Sequence, residues 1–184
     1  MSKLCIIYDM PYQYKREPLS NEEADKLANA AEDFEEKLVI FTLLDTGLRV
    51  AELAGLTKDN IQWQERRLVI YGKGGIYGKE SKRRVLPMTD RVRRLLEHHF
   101  AFENAVNITP RTIQRIVKRM ANRAGITKSV TPHVLRHTFS IICIKKGIPT
   151  RVLMQLLGHD RLATTEIYLN LSPEDAIRQF EEKW

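Results

Sequence analysis

The chain has 184 residues, 43% of them apolar and 29% charged, with a formal net charge of +7. That length and balance suit one globular domain with a short appendage, long enough to bury a sizeable core. The longest apolar run, Leu38 to Phe41 with Leu43 and Leu44 beyond Thr42, is far below the roughly 18 residues of a spanning helix, and the basic excess favours a polyanionic partner without naming one.

Residues 1 to 18 read as an irregular segment in which Pro11 and Pro18 bracket a polar, tyrosine-rich stretch. They contain no apolar leader or cleavage site. The two cysteines, Cys5 and Cys143, are far apart and in no CxxC pair, as in a reduced, intracellular protein. A cytoplasmic location is expected.

Ser20 and Glu23 form a capping box that opens a helix. Leu27, Ala28, Ala31, Phe34, Leu38 and Phe41 continue helical spacing to about residue 45, and Gly47 breaks it. A short helix follows from about Val50 to Leu56, then a turn through Asp59-Asn60. Ile61-Gln62-Trp63, Arg67 to Tyr71 and Val85-Leu86-Pro87 predict a three-stranded antiparallel sheet, with a long glycine- and lysine-rich tip between the last two strands.

Everything after Pro87 reads as helix. Thr89 or Asp90 caps one helix to about His98. Thr109 caps another, with Ile113, Ile116, Val117 and Met120 on one face and Gly125 at its end. Thr131 and Pro132 open a third, closed by Gly147; Pro149 starts a fourth, ending at Gly158. Thr164 to Leu169 and about 173–184 predict two more. The fold class is mainly α with a small antiparallel β-sheet.

The stretch T-P-H-V-L-R-H-T-F-S, residues 131–140, sets two imidazoles and a guanidinium at the start of a buried-looking helix. His133 and His137 have i, i+4 spacing, but the zinc-protease signature needs Glu where Val134 stands, and Arg136 between them repels a cation. No metal is expected. Residues 72–81, G-K-G-G-I-Y-G-K-E-S, fail as a phosphate-binding loop: three residues separate Gly74 from Gly78, Glu80 follows the lysine, and the segment joins two strands.

Arg49 follows the break at Gly47 among apolar neighbours. It is either a solvated helix-start residue paired with Glu52, or a buried arginine that Glu52 orients toward an anion. His159 comes just after a helix-ending glycine, and Tyr168 is by default a packing residue. Neither decides anything alone.

Taken in order, the stretches T-G-L-R-V-A-E-L-A-G-L, G-K-G, T-P-H-V-L-R-H-T-F, L-L-G-H and T-T-x-x-Y resemble the catalytic domain of the tyrosine recombinases, or phage integrases, with the bacterial and archaeal Xer recombinases most similar. The resemblance covers roughly residues 20 to 180. It implies a catalytic domain over 19–184, including a C-terminal helix at about 173–184. It also implies site-specific DNA strand exchange through a 3′-phosphotyrosyl intermediate, without cofactor, metal or ATP.

By the same resemblance Tyr168 is the nucleophile and Arg49 and Arg136 hold the phosphate. His133 is the candidate base, His159 a phosphate hydrogen-bonding partner and Lys73 the candidate acid. The tip is longer than in similar relatives, so Lys79 or Lys82 competes with Lys73 for that role. Glu52 and His137 are supporting residues. The expected partner is duplex DNA, with Lys79, Lys82, Arg83, Arg84, Arg111, Arg115, Lys118 and Arg119 as candidate phosphate contacts, and with self-association into a tetrameric synapse. Relatives carry an N-terminal helical clamp before this domain, so the resemblance implies a fragment or a catalytic-domain-only variant. A type IB topoisomerase and a non-catalytic DNA-binding relic are the alternatives.

Overall fold

The computed structural model describes residues 17–71 and 83–158. In chain order these form α1 (Asn21–Asn29), α2 (Phe34–Thr46), α3 (Val50–Ala54), a 3-10 turn (Lys58–Asn60), β1 (Ile61–Gln62), β2 (Arg67–Tyr71), β3 (Arg83–Pro87), α4 (Asp90–Phe100), α5 (Pro110–Arg123), α6 (Pro132–Lys145) and α7 (Thr150–Leu157). The architecture is mainly helical with one small antiparallel sheet, as the sequence predicts. The irregular segment before residue 17, the helix expected at Thr164–Leu169 and the one at about 173–184 lie outside the described residues.

α2 is the central helix. Leu38, Val39, Ile40 and Leu43 are all buried, so it is apolar nearly all round and must be covered on every side. α1, α3, α4, α5 and α6 pack around it. α5 is the opposite kind of helix: Ile113, Ile116, Val117 and Met120 face the core, and Arg111, Arg115 and Lys118 face out.

The structure splits the long helix that the spacing predicts across residues 20–45. Asp33 caps α2 by accepting the N–H of Glu36 at 2.7 Å, and Glu36 reaches back to accept the N–H groups of Asp33 at 3.5 Å and Glu32 at 2.9 Å. Asp33-Phe34-Glu35-Glu36 is thus a second capping box, and two satisfied orphan donors outweigh an apolar period that runs across the break. Glu36 also accepts from Arg119 and Arg123, tying the start of α2 to α5. Burial would raise this carboxyl, but those hydrogen bonds hold it at about 2.

The sheet order is β1-β2-β3, with Leu68 opposite Leu86 and Ile70 opposite Arg84. Trp63 lies past the end of β1, in the turn to β2. In β3 the alternation sends Arg84 and Leu86 inward and Arg83, Val85 and Pro87 outward. α7 packs against β3, so the hairpin carrying the lysine-rich tip and the end of α7 meet at one edge of the helical core. Among the described residues no helix is long and apolar enough to cross a membrane.

Gly47 sets how α2 ends. Its φ is +61°, and a Cβ there would lie 2.5 Å from Cδ1 of Phe139. Both the left-handed turn and the close approach of α6 require glycine. The chain then enters α3 with Arg49 against the α6–α7 side of the molecule.

Candidate functional site

Arg49 occupies the N-cap of α3 and makes no side-chain cap bond. Arginine is a poor residue for that position, where short oxygen-bearing side chains satisfy the helix. Glu52 takes over the cap from inside, accepting the Arg49 N–H at 2.7 Å and the Arg49 guanidinium at 2.9 Å. The Arg49 side chain stays 42% exposed. Of the two sequence readings, the structure combines parts of each: Arg49 faces solvent, while the glutamate that orients it is 11% exposed.

Glu52 is held from its other side by Arg84. The two terminal nitrogens of Arg84 reach the two carboxylate oxygens at 2.8 and 2.5 Å. Burial would raise the Glu52 carboxyl, but the bonds from Arg84 and Arg49 hold it at about 2. Arg84 itself is buried, its side chain 8% exposed. This corrects the expectation that Arg84 is a surface phosphate contact. The alternation in β3 carries the signal: Arg84 shares a face with Leu86, so it points inward.

Arg136 lies in α6 and is 4% exposed. Its guanidinium donates to the Gly47 carbonyl at 2.6 Å and to the Leu157 carbonyl at 2.5 Å. Arg49 reaches the next carbonyl, Gly158, at 3.5 Å. The two arginines therefore converge on the end of α7. The carbonyls of a helix C-terminus carry partial negative charge that suits cations. Gly158 turns the chain there with φ +65°.

His133 sits one turn before Arg136 and is exposed. The i, i+3 spacing puts both on one side of α6, at different depths: His133 is at the surface and Arg136 beneath it. His137 is half-buried, its ring centroid 6.5 Å from that of His133. His133 borders a cleft of about 810 Å³ together with Val50, Lys118 and Thr131. A second cleft runs from Arg49 and Glu52 to Ile70 and Tyr71, at the end of the strand that leads into the hairpin tip. Among the described residues no group of three or more His, Cys, Asp or Glu could hold a metal ion.

Arg83 is exposed at the start of β3, and Arg111, Arg115 and Lys118 form an exposed stripe along α5 beside the His133 cleft. Arg119 pairs with Glu36 at 2.7 Å. Arg119 was also expected as a phosphate contact; its guanidinium is drawn to the buried Glu36 carboxylate while the side chain stays 54% exposed. Lys73, Lys79 and Lys82 in the tip, and His159 and Tyr168 after α7, lie outside the described residues.

Residues 17–175 match the Phage integrase family. The tyrosine recombinase XerA of Pyrococcus horikoshii is 29% identical over 179 residues, covering 90% of this chain and 60% of its own. The crystal structure of a XerA recombinase superposes with a TM-score of 0.79 at 28% identity, over 93% of this chain and 66% of that one. A Tn1549 transposon integrase solved in complex with circular intermediate DNA shares the fold, with a TM-score of 0.74 at 21% identity, over 94% of this chain and 69% of that one. The chain thus spans less than two thirds of the length of the XerA proteins that it matches.

Proposed function

Because the chain belongs to the phage integrase family, we propose that it is a site-specific DNA recombinase that breaks and rejoins strands through a 3′-phosphotyrosyl intermediate. The observation that carries this reading is the convergence of Arg49 and Arg136 on the end of α7. Two guanidiniums at one point suit a phosphodiester, whose transition state spreads negative charge over its non-bridging oxygens.

In this reading Tyr168 attacks the phosphorus and the 5′-oxygen leaves. An ordinary tyrosine has a pKa near 10, so its proton needs an acceptor, and His133 takes it. Lys73, Lys79 or Lys82 protonates the leaving oxygen, while His159 hydrogen-bonds the phosphate. The freed 5′-hydroxyl of another strand then attacks the phosphotyrosine and restores the diester. The link to the protein conserves the bond energy, so the reaction needs neither ATP nor a metal.

Duplex DNA is the partner, lying across Arg83 and the α5 stripe of Arg111, Arg115 and Lys118. The similar fold of an integrase described in complex with DNA supports that partner. Strand exchange requires several copies on two DNA segments, hence a tetrameric synapse, in which the helix expected at about 173–184 packs on a neighbouring protomer. The names of the relatives, tyrosine recombinases, favour strand exchange over relaxation of supercoils or a non-catalytic relic.

The test is incubation with a pool of nicked duplexes, on which a cleaved strand end diffuses away and traps the intermediate. The reading expects a protein–DNA adduct on a denaturing gel that is absent in Tyr168→Phe. An adduct that persists in Tyr168→Phe contradicts it.

A further inference from the structure

Arg84 is used by none of the steps above, yet it is one of the most enclosed charges in the described protein. Each oxygen of Glu52 is shared between two arginines. Oε1 accepts from the guanidinium of Arg49 at 2.9 Å and from that of Arg84 at 2.8 Å. Oε2 accepts from the Arg49 N–H at 2.7 Å and from Arg84 at 2.5 Å. Exposure rises along the row, from 8% at Arg84 through 11% at Glu52 to 42% at Arg49. The row starts in the interior and ends at the cleft.

We infer that Arg84 is a positioning residue for the phosphate-holding arginine: it locks both oxygens of Glu52 from the core side, and Glu52 in turn fixes the backbone and the guanidinium of Arg49. The inference rests on the proposed role of Arg49 in holding a phosphate. A carboxylate gripped by one arginine alone can swing with that side chain. A second, planar fork that binds both oxygens leaves it one orientation. Such a site is preorganised before DNA arrives, and preorganised donors lower the barrier without reorganising during the reaction.

Two further contacts make Arg84 a hub rather than a local brace. Its main chain pairs with Ile70 in β2, the strand that leads into the lysine-bearing tip. Its Cδ lies 3.1 Å from where a Cβ on Gly158 would stand, so the turn at the end of α7 rests on the Arg84 stem. Arg84 therefore touches the base of the hairpin, the carboxylate that orients Arg49, and the turn whose carbonyl Arg49 reaches. Through its backbone and its buried side chain, one residue thus ties a strand, a helix and a turn together beside the cleft.

The test compares Arg84→Met, Arg84→Lys, Glu52→Gln and the Arg84→Met/Glu52→Gln double variant in the full chain, at a temperature well below the thermal unfolding of each. DNA affinity and the rate of adduct formation at saturating nicked DNA are measured separately. A positioning role slows adduct formation by roughly tenfold in either Arg84 variant, with affinity within about twofold of wild type. In the double variant the loss is close to that of Glu52→Gln alone, because Arg84 acts through that carboxylate. Should Arg84→Met not fold, Arg84→Lys, which keeps the charge and loses the fork, carries the same comparison. A wild-type rate in a folded Arg84 variant overturns the inference, as do losses that multiply in the double variant. A wild-type chain that forms no adduct overturns the proposed reaction itself, and with it this role.

Discussion

Arg49 and Arg136 donate to consecutive carbonyls, those of Gly158 and Leu157, at the end of α7. They come from different helices, far apart in sequence, and reach this point by different routes. Arg136 gets there buried, and it also holds the Gly47 carbonyl, which fixes the turn that leads to Arg49. Arg49 gets there along the surface, steered by Glu52. One arginine is thus built into the fold and the other is mounted on it.

That difference predicts unlike outcomes for the same substitution. Arg49→Lys loses a planar fork at an exposed position, so adduct formation falls by roughly 10²–10³-fold with thermal stability near wild type. Arg136→Lys loses a comparable share of the rate and also leaves buried carbonyls without their donor, costing about 1–3 kcal/mol. Single-turnover adduct assays alongside denaturant unfolding separate the two. Equal stability losses in both variants would contradict the assignment.

Gly47→Ala meets two obstacles at once, a φ of +61° and the ring of Phe139 at 2.5 Å from the new Cβ. The expected cost is roughly 2–4 kcal/mol by chemical unfolding. Phe139→Leu removes the ring but not the backbone strain. The Gly47→Ala/Phe139→Leu pair is therefore expected to lose less stability than the sum of its singles. Additive losses would show that the ring is not what Gly47 accommodates.

The α5 stripe predicts a graded salt effect. Arg111, Arg115 and Lys118 are exposed, so replacing each by Gln should weaken DNA binding for all sequences alike. The slope of log affinity against log salt concentration should fall by about one per residue. Arg119→Gln, whose guanidinium belongs to Glu36, should change that slope less while lowering stability. Titration by fluorescence anisotropy at several salt concentrations reads both effects.

Glu36 and Glu52 are both held at about 2 in the folded chain, against an ordinary 4.5. A lowered folded-state pKa stabilises at pH values above the unfolded one, and that stability is lost as pH falls toward the folded one. The chain should therefore lose stability steeply between about pH 4.5 and 2, each carboxylate contributing up to roughly 1.4 kcal/mol per pH unit. Glu36→Gln should be less stable at neutral pH and show a shallower acid slope. Thermal unfolding across that pH range checks the sign.

The sequence made the overall architecture legible because its periodicities are clean. The apolar face of α5, the two short β-prone runs and the glycines after α2, α6 and α7 each mark one element. The capping box at Asp33 was hidden by an apolar period that continues across it; the box breaks the helix there, and the pairing of Glu36 with Arg119 and Arg123 fixes the new start against α5. At the site, the family resemblance singles out Arg49, Glu52, His133 and Arg136, and the structure brings Arg49 onto Glu52 and Arg49 and Arg136 onto neighbouring carbonyls. Their depths were not legible in the sequence, since burial depends on which helix covers which face. Arg84 was misread for that reason: among three consecutive basic residues at the end of a hairpin it looks like surface, and the partner that draws it inward is 32 residues away in the chain.

The measurement closest to the central claim is mass mapping of the adduct trapped on nicked duplex DNA. One modified peptide is expected, carrying nucleotide on Tyr168 through a 3′-phosphate, together with a released strand ending in a 5′-hydroxyl. Nucleotide attached to another residue, or a released 5′-phosphate, would contradict it.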